Sequence, residues 1–285
     1  MPYLGNEVAP LVQALEGKEL KLDSDGDSSI TADTDDRVDV KVGGSDIAHV
    51  TSTGLGVNTN SPSTALHIKD SDGGILQTVE TGDSGNAYLK FINSTTGSGA
   101  FSDGFLVGLD TDESATFWLY EGNHMKFATS GTEALRIDAN GHITKPLQPA
   151  FSARVNTAMQ DRAVNTNHTV AFDQERFDQN SDYNNSTYTF TAPATGKYQF
   201  NCRLYLQNVP SNATYIYFML YTSNVEYLMQ INDVDNAQAY DFLQGSILAD
   251  MDANDTAYVY FYQPNGSATT HIHNGNTYFT GHLVA

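Results

Sequence analysis

Residues 196–208 read "GKYQFNCRLYLQN", and their strict alternation decides the fold class. Side chains along a β-strand point to opposite faces in turn. Tyr198, Phe200, Cys202, Leu204 and Leu206 therefore share one face, and Gln199, Asn201, Arg203 and Gln207 the other. One face is made for a core and the other for water. The same alternation recurs in "ATYIYFMLYTS" (213–223), where Ile216, Phe218 and Leu220 oppose Tyr215, Tyr217, Met219 and Tyr221. In "TAYVYFY" (256–262), Ala257, Val259 and Phe261 oppose Tyr258, Tyr260 and Tyr262. A strand on a wet sheet alternates apolar with polar. These two strands are apolar on both sides, so Tyr215, Tyr217, Tyr258, Tyr260 and Tyr262 are expected at an interface between copies of the chain. Tyrosine suits such a place because its ring is apolar while its hydroxyl still finds a partner. Further strands are expected near 169–173, 187–191, 226–231, 240–249 and 277–284, giving a sandwich of about eight to ten strands.

The rest of the 285-residue chain points the same way. Short alternating runs sit between clusters of Gly, Asn, Asp and Ser, the pattern of an all-β protein with many turns. The formal charge of −20 makes the phosphate backbone of nucleic acid an unsuitable partner. No Lys or Arg follows Arg203, while seven carboxylates do. The lone Cys202 excludes an intrachain disulfide and reads as a small core residue. No run of 18 apolar residues exists and "MPYLGNEVAP" has no signal-peptide pattern, so no membrane insertion is expected. Synthesis in a cytoplasm and release by lysis are expected instead.

Four segments are expected. Residues 1–20 hold the one candidate helix, within 4–17, read as a docking segment. Residues 21–62 carry short strands (Leu20 and Leu22, Ile30, then Val38, Val40 and Val42) and read as a repetitive shaft. Strands this short cannot close a core in one chain, whereas several chains winding together can. Residues 63–146 hold five or six strands of a β-rich intermediate domain, with Trp118 as a packing anchor. The prolines of "PLQPA" (146–150) mark a stiff linker, and 147–285, with 13 of the 16 tyrosines, form the head. The "DSDGD" turn at 23–27 lacks the Gly and Glu that an EF-hand requires at its sixth and twelfth positions, and reads as a turn.

"YNNSTYTFTAPATGKYQF" (183–200) resembles the central motif of the C1q domain, a jelly roll related to tumour necrosis factor. The pattern falls on Tyr183, Phe190, Thr191, Pro193, Gly196, Tyr198 and Phe200 without a gap, with Tyr188 in place of the usual turn glycine. "PAFSA" (149–153) resembles the opening strand of that family and "YFTGHLV" (278–284) its closing one. "HVTSTGLGVNTNSPSTALHI" and "EALRIDANGHI" are similar to linker repeats of bacteriophage tail fibres and tail spikes. Together the resemblances imply an all-β chain: a C1q-like jelly-roll head preceded by an elongated, intertwined trimeric β fibre.

The same resemblances imply a homotrimer located on a virion. Residues 1–20 would dock on other virion proteins, and the head would recognise a host-surface glycan or protein. The loops 208–214 and 263–276 are the candidate contact residues. Alternatives are a capsid-decorating or tail-shaft fibre with no receptor, and a glycan-degrading spike. No nucleophile elbow or metalloprotease spacing appears, so no catalytic residue is assigned and an enzyme is not expected. No cofactor is required. Two divalent-cation sites are candidates: His271 and His273 of "HIH", for Fe, Ni or Zn completed by symmetry, and Asp233 and Asp235 of "NDVDN", for calcium.

Overall fold

A computed structural model describes residues 19–285 apart from 33, 71–75, 98–99 and 268. The helix expected within 4–17 and nearly all of the 1–20 docking segment lie outside the described residues. Among the described residues every regular element is a strand, and no helix is long and apolar enough to cross a membrane. The chain divides into two compact units, 1–120 and 121–285.

In the first unit, β1 (Leu20–Lys21), β2 (Ser29–Thr31), β3 (Arg37–Val42), β4 (Ser45–Thr51), β5 (Leu55–Val57) and β6 (Leu66–Ile68) form one sheet in that order. All pairs are antiparallel except β5–β6. Register puts Leu20, Ile30, Val40, Ala48, Val57 and Ile68 in one row across the sheet. Val38, Val50, Leu55 and Leu66 form a second row on the same face. On the opposite face Ser29, Asp39 and His49 are buried. The β5–β6 loop crosses that side, because a Cβ on Gly56 would run into the Thr59 carbonyl. Asp39 accepts from Arg37 Nε and Nη2 and meets His49 Nδ1 at 2.6 Å. Burial opposes its ionisation, but these hydrogen bonds outweigh it and hold the carboxyl below its usual range.

A separate three-stranded sheet follows: β7 (Ala87–Phe91), β8 (Phe105–Leu109) and β9 (Ala115–Leu119). One face carries Ala87, Leu89, Phe91, Phe105, Val107, Leu109, Ala115, Phe117 and Leu119. Trp118, expected as a packing anchor, is 54% exposed on the other face and touches only the edge of an aromatic row through Tyr120, 6.0 Å away. Leu106, opposite Trp118 in register on the same face, is 3% exposed, so among the described residues the covering of that face reaches Leu106 and leaves the indole half exposed.

The second unit opens with β10 (Met125–Thr129), β11 (Thr132–Ile137) and β12 (Ile143–Thr144), again a three-stranded sheet. Region 63–146 thus gives β6 to the first sheet and holds two further separate sheets, and the division into compact units falls between those two. The linker is tied down rather than free. Gln148 Nε2 donates to the Leu283 carbonyl, and Asn180 Nδ2 donates to that of Leu147.

The head has β13 (Ala150–Arg154), β14 (Met159–Arg162), β15 (His168–Thr169), β16 (Gln174–Asp178), β17 (Tyr183–Asn184), β18 (Thr189–Thr191) and β19 (Gly196–Val209). It continues with β20 (Tyr215–Thr222), β21 (Glu226–Asp233), β22 (Gln238–Met251), β23 (Thr256–Tyr262), β24 (Thr270–Ile272) and β25 (Tyr278–Leu283). One sheet runs β14-β24-β19-β25-β13-β16, with β22 also paired along β19. The other runs β17-β18-β23-β20-β21, with β15 on β23. Apart from the β17–β18 and β20–β21 hairpins, neighbouring strands are distant in sequence, the wiring of a jelly roll. The alternation read from 196–208 is observed: Tyr198, Phe200, Cys202, Leu204 and Leu206 are all buried and face the core. Burial alone pushes the Cys202 thiol well up, so it stays protonated and inert.

The β17–β18 hairpin confirms the departure at Tyr188, which takes φ 61°. A side chain in that left-handed region costs roughly 1 kcal/mol or more. Tyr188→Gly is therefore expected to stabilise the head by about 1 kcal/mol, partly offset by glycine's entropy in the unfolded chain. Scanning calorimetry checks it: the melting temperature should rise by a few degrees, and a fall would mean the tyrosine ring makes contacts worth more than the strain.

Candidate functional site: the tyrosine sheet and its bordering loops

The aromatic motif residues Tyr183, Phe190, Tyr198 and Phe200 prove to be core, while Thr191 and Pro193 are exposed. Phe151 stacks on Tyr183 at 4.8 Å and on Phe190 at 5.1 Å, and Phe190 packs on Tyr198 and Phe200. Tyr183 OH donates to the Phe172 carbonyl and Tyr198 OH to that of Ala194, which satisfies both buried phenols. Pro193 adjoins β19, and Gly196 lies so near the chain end that a Cβ would sit 2.6 Å from the Ala285 carbonyl. These positions build the scaffold on which the surface is displayed.

That surface is the outward face of β23, β20 and β21. Register places Tyr217 opposite Tyr262, Met219 opposite Tyr260 and Tyr221 opposite Tyr258. The rings shield one another: Tyr217 and Tyr262 lie 5.1 Å apart, Tyr221 and Tyr258 also 5.1 Å, and Tyr215 stacks on Tyr217 at 6.0 Å. Tyr260, at the centre, is buried within one chain and donates to Met219 Sδ. Burial first, then the neighbouring Tyr217, push its phenol up to about 12. The other five tyrosines are half-buried. The tyrosine face is thus partly covered by itself. Larger unmet apolar exposure lies at Leu228 and Ile231 of β21, and at Tyr240, Phe242 and Leu248 of β22, each 46–56% exposed. The alternation of 238–251 carried the β22 signal, since Tyr240, Phe242 and Leu248 share the face of Gln199 and Tyr205.

The two loops flagged by sequence come together at one edge of this sheet. Thr214 N donates to Asn265 Oδ1, and Asn265 Nδ2 donates back to Thr214 Oγ1, both at 2.7 Å. Ser267 donates through its backbone N and its Oγ to Asn212 Oδ1. Gln263, wholly buried, braces the pair by accepting from Thr270 Oγ1 and donating to the Asn265 carbonyl. Sequence reading passed over Gln263, since a lone glutamine next to a strand carries no signal of burial. Tyr262 leads directly into this loop, and its hydroxyl donates to Asn165 Oδ1. Exposed amides and hydroxyls therefore stand beside half-exposed rings, the donor, acceptor and stacking set that polar ligands such as sugars use.

The cation candidates fare differently. His271 and His273 flank the buried Ile272 on one face of β24. Nδ1 of His273 accepts from Gly275 N at 2.8 Å, so that nitrogen is engaged by the backbone in this arrangement. Asp233 and Asp235 are exposed, and among the described residues no third His, Cys or carboxylate groups with them. Among the described residues one such group appears, Asp23, Asp25 and Asp27, all exposed in the β1–β2 turn. Asp23 Oδ1 there accepts from Gly26 N and Ser28 N, as a turn-forming aspartate does. The Ser28 side chain has the largest of the effects that lower the Asp23 carboxyl to about 2, ahead of these two backbone bonds.

Residues 150–284 match the family model for the C1q domain. Solved structures similar to the chain include the globular domain of zebrafish complement 1qA protein, at 18% identity over 48% of this chain and 98% of that one, TM-score 0.37. Murine APRIL matches at 11% identity over 48% and 99%, TM-score 0.36. Eiger TNF from S. frugiperda matches at 11% identity over 48% and 93%, TM-score 0.36. No curated protein matches the chain. The fold over residues 150–284 is C1q/TNF-like, as the motif at 183–200 implied.

Proposed function

We propose that the chain is a homotrimeric bacteriophage virion fibre whose C1q-like head binds a host-surface glycan or protein and whose first twenty residues dock on the particle. The observation that carries the recognition role is the loop pair 208–214 and 263–276, knit by amide hydrogen bonds beside the tyrosine sheet. The similarity of 49–68 and 133–143 to fibre linker repeats supports the virion setting, and three sheets ahead of the head support a fibre. No step of the reading requires catalysis or a cofactor.

Association of the head has two candidate faces: the tyrosines of β20 and β23, and the exposed Tyr240, Phe242 and Leu248 of β22. Light scattering on the full chain should give three times the chain mass. Phe242→Glu with Leu248→Glu, compared with Tyr217→Glu with Tyr262→Glu, identifies the face whose charge splits the particle. A wild-type mass of one chain would overturn the trimer. Binding of labelled protein to host cells should vanish when 147–285 is deleted and persist when 1–20 is deleted. The reverse pattern would assign recognition to the other end.

A further inference from the structure

Three Asn-Gly pairs occur in the chain: Asn140–Gly141, Asn265–Gly266 and Asn274–Gly275. Asparagine is a thermolabile residue, and a following glycine, with no Cβ in the way, lets the next backbone nitrogen reach its side-chain carbonyl carbon. The structure sets the three pairs apart. At Gly141 the N–H donates to the Asp138 carbonyl at 3.0 Å, an acceptor far too weak to remove a proton. Asn265 is held at both ends of its amide by Thr214, so its Cγ cannot turn towards Gly266 without breaking two bonds. At Gly275 the N–H meets an imidazole instead, donating to His273 Nδ1 at 2.8 Å. A Cβ on Gly275 would sit only 3.1 Å from that ring nitrogen, so glycine is what allows the close approach.

We propose that Asn274–Gly275 is a self-modification site, at which His273 is the general base for conversion of the asparagine amide to an acid. Geometry comes first for such a role, and the ring nitrogen lies within hydrogen-bond reach of the proton to be taken. Gly275 N gives its proton to His273 Nδ1 and forms a bond to Asn274 Cγ. The Cγ–Nδ2 bond breaks, and the proton leaves with Nδ2 as ammonia. Water then opens the five-membered imide at either carbonyl, leaving aspartate or isoaspartate, with no oxidant or reductant required. The imidazole is fixed in place for this step. His273 N donates to the Tyr205 carbonyl at 2.8 Å, the His273 carbonyl accepts from the Thr277 hydroxyl at 2.6 Å, and the ring stands edge-on to Tyr205 at 5.4 Å. Asn274 is exposed, as the water step requires, and a single bond holds its amide, from Nδ2 to the Asn156 carbonyl at 2.9 Å. Conversion puts a carboxylate where that donor was. It therefore adds a negative charge and unties this part of 263–276 from Asn156. Under the recognition reading, on which this consequence alone rests, the contact loop changes as the particle ages.

The test incubates the full chain in neutral buffer and compares the three pairs by peptide mass mapping. The map reads the mass gain of amide-to-acid conversion and separates isoaspartate from aspartate by retention. Asn274 should convert about tenfold faster than Asn140 and Asn265. His273→Gln keeps an acceptor for Gly275 N but no basic nitrogen, and His273→Phe keeps a ring against Tyr205. Each should slow conversion at Asn274 by roughly tenfold to a hundredfold and leave the other two pairs unchanged. A purely structural role predicts the opposite sign, because loosening the turn frees Asn274 Cγ to meet the nitrogen. Conversion at Asn274 no faster than at the other two pairs, or undiminished in either variant, overturns the inference. The rate is read without any host cell, so the two readings fail separately. A head that converts at Asn274 yet binds no host leaves this inference standing and sinks the recognition reading. A head that binds but does not convert does the reverse.

Discussion

Phe151→Ala should remove about 3–5 kcal/mol from the stability of the head, the usual toll for truncating a packed phenylalanine. Phe151 is 1% exposed and its ring meets four others: Tyr183 and Phe190 stacked, Phe279 edge-on at 5.0 Å, and Phe200 at 6.5 Å. The surroundings are already full, since a Cβ on Gly281 would lie 2.5 Å from Phe151 Cε1 and 2.7 Å from Phe200 Cδ1. Such a close-packed aromatic cluster relaxes poorly into a cavity. Against a typical domain stability of about 5–15 kcal/mol, the loss is a large fraction. Phe177, on the neighbouring β16, is the control: at 55% exposure its truncation should change stability by about 0.5 kcal/mol or less. Urea unfolding of both variants, followed by near-ultraviolet circular dichroism, decides it. Equal midpoints would mean that the ring cluster does not hold the sandwich together.

The head was legible in sequence because its strands are long and its two faces differ in kind. β19 alternates over 14 residues, so no register other than the observed one puts Tyr198, Phe200 and Cys202 inside together. The motif at 183–200 was equally legible, because Tyr183, Phe190 and Tyr198 are there to fill one core. What alternation could not show is which of two apolar faces covers itself. The tyrosines read as needing a neighbour, yet Tyr260 is already buried, with the rings of Tyr217 and Tyr221 against it. Periodicity records the residue type on each face and says nothing of how far adjacent rings lean over one another.

The amino-terminal unit was legible for the complementary reason. Its short strands promised too little core for one chain, and the bare rows at Val38 and Val50 are that shortage made visible. The burial of Asp39 and His49 was not legible, since charged residues in alternating strands are normally the wet face. It arises from a loop crossing the sheet after Gly56, a long-range event that no local pattern encodes. The loop pair around Asn212 and Asn265 shows both sides of this. Its polar composition marked each half as a loop, but only the hydrogen bonds across 50 residues of chain make them one surface.

The same tyrosines give the head an upper pH limit. Tyr260 rises to about 12, and burial, the largest cause each time, also raises Tyr183, Tyr198, Tyr217 and Tyr258. In the unfolded chain all five ionise near pH 10. A folded-state value above the unfolded one means the folded protein holds its proton longer. The associated stability is complete below about pH 10 and drains away as pH rises through the folded value. For Tyr260 alone, roughly two units correspond to about 2–3 kcal/mol lost between pH 10 and 12. Burial of the other four acts in the same direction above about pH 10, so the head should unfold cooperatively in strong alkali, with a smaller loss beginning where the unfolded Cys202 thiol ionises, about pH 8.5. Tyrosinate absorbance followed with far-ultraviolet circular dichroism tests this, because ionisation and loss of strand signal should coincide. Tyr260→Phe removes the central proton without removing its ring, so its unfolding should begin at higher pH. Identical alkaline midpoints for Tyr260→Phe and the parent would show that Tyr260 is solvated in solution, as it would be if the tyrosine face opened to water.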